Sequence, residues 1–127
     1  MGAGIRHVHL LVGDRDRSVS FYRKAFGMEV AFEADGIVFL STVGAGDLLA
    51  LRAASTDDER AQVGLSGGIG HFGIAVPTAT DGTAETSVTE ALDRVTTGGG
   101  RLLGRGEHAP GVPYAYVADP DGYVIEI

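Results

Sequence analysis

The sequence predicts an α+β fold made of two copies of one βαβββ unit, and three observations carry that expectation. Apolar runs of strand composition and amphipathic runs of helical spacing follow each other in the same order twice. His7, Leu10 and Val12 match His71, Ile74 and Val76 at a constant offset of 64 residues. At the far end of each unit, the turn glycines Gly46 and Gly122 align Leu48, Leu49 and Leu51 with Val124, Ile125 and Ile127 at an offset of 76. Duplication has a physical consequence, because neither unit alone can bury its apolar face.

The first unit, residues 5–53, begins with the strand Ile5 to Val12, closed by the turn signal Gly13-Asp14. Asp14 to Ser18 offer helix N-caps, and Val19, Tyr22, Ala25 and Phe26 then share one helical face up to the stop at Gly27. Phe21 and Tyr22 read as packing residues of that helix. Three strands are expected next, Glu29 to Ala34, Ile37 to Val43 and Leu48 to Ala53. Residues 54–68 are acidic and glycine-rich and read as a linker, with Thr56 and Glu59 spaced as a capping box for one or two helical turns.

The second unit, residues 69–127, restarts with the strand Ile69 to Val76. A polar segment from Pro77 to Thr86 leads to a helix carrying Val88, Ala91, Leu92 and Val95 on one face, with Ser87 and Glu90 as its capping box. After Gly98-Gly99-Gly100 a strand is expected around Arg101 to Gly104. A loop then carries His108 and Pro110, and strands Pro113 to Ala118 and Tyr123 to Ile127 close the chain. The glycine runs lack the lysine and spacing of a phosphate loop and read as connectors.

At 127 residues and 44% apolar content the chain has the size of one domain with an ordinary core. A net charge of −7 and a pI near 4.9 argue against nucleic acid or an anionic membrane as partner. A small molecule is the expected ligand. With no cysteine, any metal must be held by nitrogen and oxygen. The four-residue leader is too short for a signal peptide and no apolar run reaches membrane-spanning length, so a cytoplasmic protein is expected.

The chemistry is expected at the end of the chain. Glu126 lies in an apolar strand that should be buried, where a carboxylate needs a partner. His7 and His71 lie in apolar strands at equivalent positions of the repeat. Two His and one Glu converging would make a metal site, whereas one histidine alone would read as a core residue satisfied by neighbouring carbonyls. Ala50 occupies the fourth equivalent position and has no donor atom.

These residues resemble the vicinal oxygen chelate superfamily, which includes glyoxalase I, extradiol dioxygenases, fosfomycin-resistance enzymes and bleomycin-binding proteins. The resemblance runs from His7-Val8-His9-Leu10-Leu11-Val12-Gly13-Asp14, with Ser18 to Tyr22 and Phe26-Gly27, through Gly70-His71 to Asp119-Pro120-Asp121-Gly122-Tyr123-Val124-Ile125-Glu126. It implies paired βαβββ modules forming a curved mixed sheet around a cavity, with a divalent metal (Fe²⁺, Mn²⁺, Ni²⁺ or Zn²⁺) on His7, His71 and Glu126. Ala50 departs from the glyoxalase I pattern, which has a second glutamate there.

The implied function is a metal-dependent lyase, isomerase or ring-cleaving dioxygenase that chelates adjacent oxygens of a small substrate. The alternative is a bleomycin-resistance-like protein that sequesters an apolar or aromatic compound. The site can be built within one chain or across a homodimer. His9, two residues from His7, is a candidate base or substrate contact. Tyr114 and Tyr116, alternating on one strand face, are candidate substrate contacts, and Tyr116 is also a candidate general acid. The rival readings are wall packing for His9 and ordinary strand burial for the tyrosines. His108 reads as a solvated loop residue, and Asp119 and Asp121 as turn formers.

Overall fold

The computed structural model describes residues 2–65 and 67–127. It contains β1 (Val8–Val12), α1 (Arg15–Phe26), β2 (Glu29–Ala34), β3 (Ile37–Ser41), β4 (Leu49–Ala53), α2 (Asp57–Gln62), β5 (Phe72–Gly73), α3 (Ala84–Thr97), β6 (Arg101–Ala109), β7 (Val112–Ala118) and β8 (Val124–Glu126). The strands form two four-stranded sheets of identical plan, β1-β4-β3-β2 and β5-β8-β7-β6. In each, the first strand pairs parallel to the last and the other pairs are antiparallel. The two sheets are not closed into a barrel, and the architecture is the expected α+β pair of βαβββ units.

Helices α1 and α3 pack on each other, and both lie on one side of the sheets, α1 against β4 and β3, α3 against β7 and β6. Between them and the strands sits the core, where Val12, Phe21, Tyr22, Leu40, Leu51, Val95, Val117 and Ile125 are fully buried. Because strand side chains alternate, the residues between these anchors point to the opposite, uncovered face. That alternation sends Glu126 away from Ile125 and Tyr116 away from Val117. The outer strand β2 is exposed at every residue and β6 at most of its residues, leaving Val30, Phe32, Leu102 and Leu103 in contact with solvent.

Caps fall largely where the composition put them. The Asp14 side chain accepts from Arg17 N–H and Gly27 ends α1 in the left-handed region. Thr56 accepts from Glu59 N–H, but Glu59 returns to Ser55 N–H (3.0 Å) rather than to Thr56, and it also holds Arg52 through two bonds of 3.1 and 2.5 Å. The cap of α3 is a correction. Thr83, not Ser87, opens that helix, and Ser87 is buried one turn inside it, donating to Thr83 O (2.7 Å) and accepting from Ala79 N–H (2.8 Å).

The aspartates of the Asp119-Pro120-Asp121-Gly122 turn do more than shape it. Asp119 is fully buried and accepts from Tyr22 Oη–H (2.7 Å) and from the backbone of Asp121 and Tyr123. Asp121 accepts from Gly13 N–H (3.2 Å), Arg17 Nη2 (2.8 Å) and Ser18 Oγ–H (3.3 Å). Through these bonds the last turn of the second unit grips the start of α1 in the first. Gly64 closes against the same turn, with a left-handed φ of 80° and no room for a side chain, since a Cβ would lie 2.3 Å from Asp121 O.

Candidate functional site

Glu126 stands opposite Tyr116 on β7 and Gly73 on β5. Its side chain is 25% exposed, so the expected burial is corrected: it lies on the sheet face that the helices do not cover. His71 comes one residue before β5 and is also partly exposed, because that strand is only two residues long rather than the eight expected. Its Nε2 donates to Glu126 Oε2 at 2.8 Å.

The other carboxylate oxygen, Oε1, accepts from His108 Nε2 at 2.6 Å. This corrects the reading of His108 as a loop residue, while its side chain remains solvated at 53% exposure. Strand β6 runs on to Ala109, because Gly104 and Gly106 continue the ladder opposite Tyr116 and Tyr114. The signal was in the sequence as two glycines spaced to match two tyrosines. Gly106 has no room for more, since a Cβ there would approach Tyr114 Oη to 2.8 Å. The tyrosine ring therefore lies across β6 and stacks on His108, with centroids 4.2 Å apart and planes at 22°. Tyr114 meets Tyr116 edge-on at 5.3 Å, and Tyr116 meets His71 edge-on at 4.9 Å. Four rings thus surround one carboxylate.

The electrostatics follow from these contacts. The His108 hydrogen bond holds the Glu126 carboxyl below its ordinary range, with partial loss of solvent opposing it and the His71 bond adding to it. The Tyr116 phenol is raised by loss of solvent and then by the Glu126 charge. It stays protonated at neutral pH.

His7 and His9 belong to the other sheet. His7 precedes β1 and is exposed, correcting the strand start expected at Ile5. His9 pairs in register with Ala50, and its imidazole is held below its ordinary value by loss of solvent, then by Arg52 and His7. A cleft of about 250 Å³ between β1 and β5 has His9 on one side and His71 on the other, with Leu11, Gln62 and Phe72 among its walls. The chain therefore brings Glu126, His71, Tyr116 and Tyr114 together, sets His9 across a cleft, and leaves His7 without a hydrogen bond to the carboxylate. Among the described residues no three His, Asp or Glu side chains converge as a metal cage.

As a pair, His71 and Glu126 do suit a divalent cation. Two ligands at about 2.1 Å from an ion and at right angles are roughly 3 Å apart, close to the observed 2.8 Å between Nε2 and Oε2. A neutral imidazole and an ionised carboxylate are also the donor chemistry of such sites. His71 and Glu126 thus place one nitrogen and one oxygen donor side by side.

Fold and site together define an α+β protein of duplicated βαβββ units that presents a His–Glu pair on an open sheet face. The chain belongs to the Glyoxalase/Bleomycin resistance protein/Dioxygenase superfamily, matching it over residues 4–127. It is 34% identical to a lactoylglutathione lyase of Neisseria meningitidis, over 94% of this chain and 86% of that protein. Among solved structures it resembles a glyoxalase-related enzyme from Fulvimarina pelagi, with a TM-score of 0.72 and 29% identity over 98% of this chain and 86% of that one. A fosfomycin resistance protein from Listeria monocytogenes, solved with Mn(II) and sulfate, shares the fold at a TM-score of 0.71 and 16% identity, over 99% of this chain and 89% of that one.

Proposed function

We propose that this protein is a divalent-metal-dependent enzyme of the lyase or isomerase type acting on a small substrate with two adjacent oxygens. The observation that carries the reading is the His71–Glu126 pair, in contact at 2.8 Å, beside a protonated tyrosine. The lactoylglutathione lyase names of its relatives support the same class. His71 and Glu126 would hold the ion, and His7 of the partner subunit would complete the set in a homodimer. That arrangement is supported by the lack of any bond between His7 and the pair in one chain, and by the exposed apolar edges β2 and β6.

A divalent ion such as Mn²⁺, Ni²⁺ or Zn²⁺ held there supplies Lewis-acid polarisation of the substrate oxygens, and Fe²⁺ would add oxygen-dependent ring cleavage. Tyr116 would donate a hydrogen bond to a substrate oxygen on which negative charge develops. His9, kept neutral, would accept a proton from across the cleft. Tyr114, fixed by its stack on His108, would form the planar wall against which substrate rests.

Elemental analysis after dialysis against a weak chelator tests this. About one divalent ion per site in the native protein, lost in Glu126→Ala, is expected, together with turnover in an assay that follows lactoylglutathione or a related thioester. A native protein that holds no metal and binds none on titration rules the enzyme out. The four open rings around Glu126 would then favour a second reading, a bleomycin-resistance-like protein that sequesters an aromatic compound.

A further inference from the structure

We infer that His108 is a positioning residue for Glu126: it occupies Oε1 so that Oε2 alone turns toward His71 and is presented to the cation. The inference rests on the metal-dependent reading above and concerns a residue outside the ligand set. Three observations carry it. The two carboxylate oxygens are divided between two imidazoles, Oε2 with His71 at 2.8 Å and Oε1 with His108 at 2.6 Å. An ionised carboxylate only accepts, so Nε2 of both imidazoles carries the proton here, but only His71 also lines the cleft shared with His9, which leaves His108 as the partner outside it. Finally, the His108 ring is fixed independently of Glu126 by its stack on Tyr114, whose own place is secured by the missing side chain at Gly106.

The need for such a device follows from Ala50. Ala50, which the repeat aligns with Glu126, has only a methyl group, so one glutamate carries the anionic part of the proposed site. A glutamate side chain has three rotatable bonds and Glu126 is only partly buried, and without a second bond it would sample orientations in which Oε2 leaves His71. A hydrogen bond to the oxygen that the cation does not use restricts this motion, as groups behind metal ligands generally do.

The test compares His108→Phe, which keeps a ring on Tyr114 but has no donor, with His108→Gln, which keeps an N–H donor of similar reach. The full-length protein is stripped of metal and titrated calorimetrically with Co²⁺ alone. His108→Phe is expected to bind Co²⁺ about ten- to a hundredfold more weakly than the native protein, with His108→Gln recovering most of the loss. Native affinity in His108→Phe overturns the inference. A second readout needs no metal: the imidazole ¹⁵N signals of His71 in the metal-free proteins report its bond to Glu126. Loss of that bond's signature in His108→Phe and its return in His108→Gln support the inference, whereas an unchanged His71 signal overturns it. A native protein that binds no Co²⁺ removes the proposed function, and the ¹⁵N comparison still decides what His108 does to Glu126.

Discussion

Single side chains in this protein carry tasks that their neighbours reveal. Tyr22 is fully buried and its hydroxyl is the side-chain donor to the buried Asp119. Removing it in Tyr22→Phe leaves Asp119 Oδ2 unsatisfied, which is expected to lower stability by about 1–3 kcal/mol in chemical denaturation. Burial, and then the Asp119 charge, raise the Tyr22 phenol well above its ordinary value of 10. Below that pH the phenol is protonated in the folded and unfolded chains alike, and its contribution is fully present. As pH rises past 10 the unfolded phenol ionises while the buried one does not, so stability falls, and falls less steeply in Tyr22→Phe. Glu59 shows the opposite sign. Arg52, with Ser55, holds its carboxyl down at about 2, so what it contributes is present above 4.5 and fades as pH falls toward 2. A ¹³C titration of Glu59 should show that midpoint, and Arg52→Met should move it back toward 4.5. Glu126 and His71 were legible in the sequence because the repeat pairs them with Ala50 and His7. For His108 the spacing of Gly104 and Gly106 against Tyr116 and Tyr114 marks its strand, but nothing in the repeat marks Glu126 as its partner.

Secondary elements were most legible where local chemistry sets their ends. Helix α1 lies between an Asp cap and a left-handed Gly, both visible in the chain, and β2 keeps the expected bounds Glu29–Ala34. Strand β6 was shortened at Gly104 because glycines break an apolar pattern, although here they make room for tyrosine rings on the neighbouring strand. Gly106→Ala should therefore displace Tyr114 and release the stacked His108, seen as loss of ring-current shifts on the His108 protons. Strand β5 was overestimated because its apolar residues pack against the core without ladder partners beyond Phe72 and Gly73. Helix α2 depends on how the chain leaves it. Gly64→Ala combines a left-handed φ with a Cβ overlapping Asp121 O and should lower stability by more than about 1 kcal/mol in thermal or urea unfolding.

The two sheets share one plan but carry different side chains, His71 and Glu126 with one and His9 opposite Ala50 on the other. If the partner subunit's His7 completes each site, a mixture of His7→Ala and Glu126→Ala chains should regain metal at half of the sites in mixed dimers. In such a dimer one site collects both defects and the other neither. Recovery of none after subunit exchange would place the whole site within one chain. The duplicated architecture could be read from the repeat, whereas the separation of His7 from Glu126 depends on how the sheets face each other, which no spacing in the chain encodes. The bonds that Asp119 and Asp121 accept from Tyr22, Gly13, Arg17 and Ser18 also bear on how the halves stay together. They are expected to hold the halves together after the peptide link between them is cut. A protein nicked by a protease just beyond Gly64 should still elute as one particle in native chromatography and come apart only in denaturant, so that the two fragments could be expressed separately and reassembled.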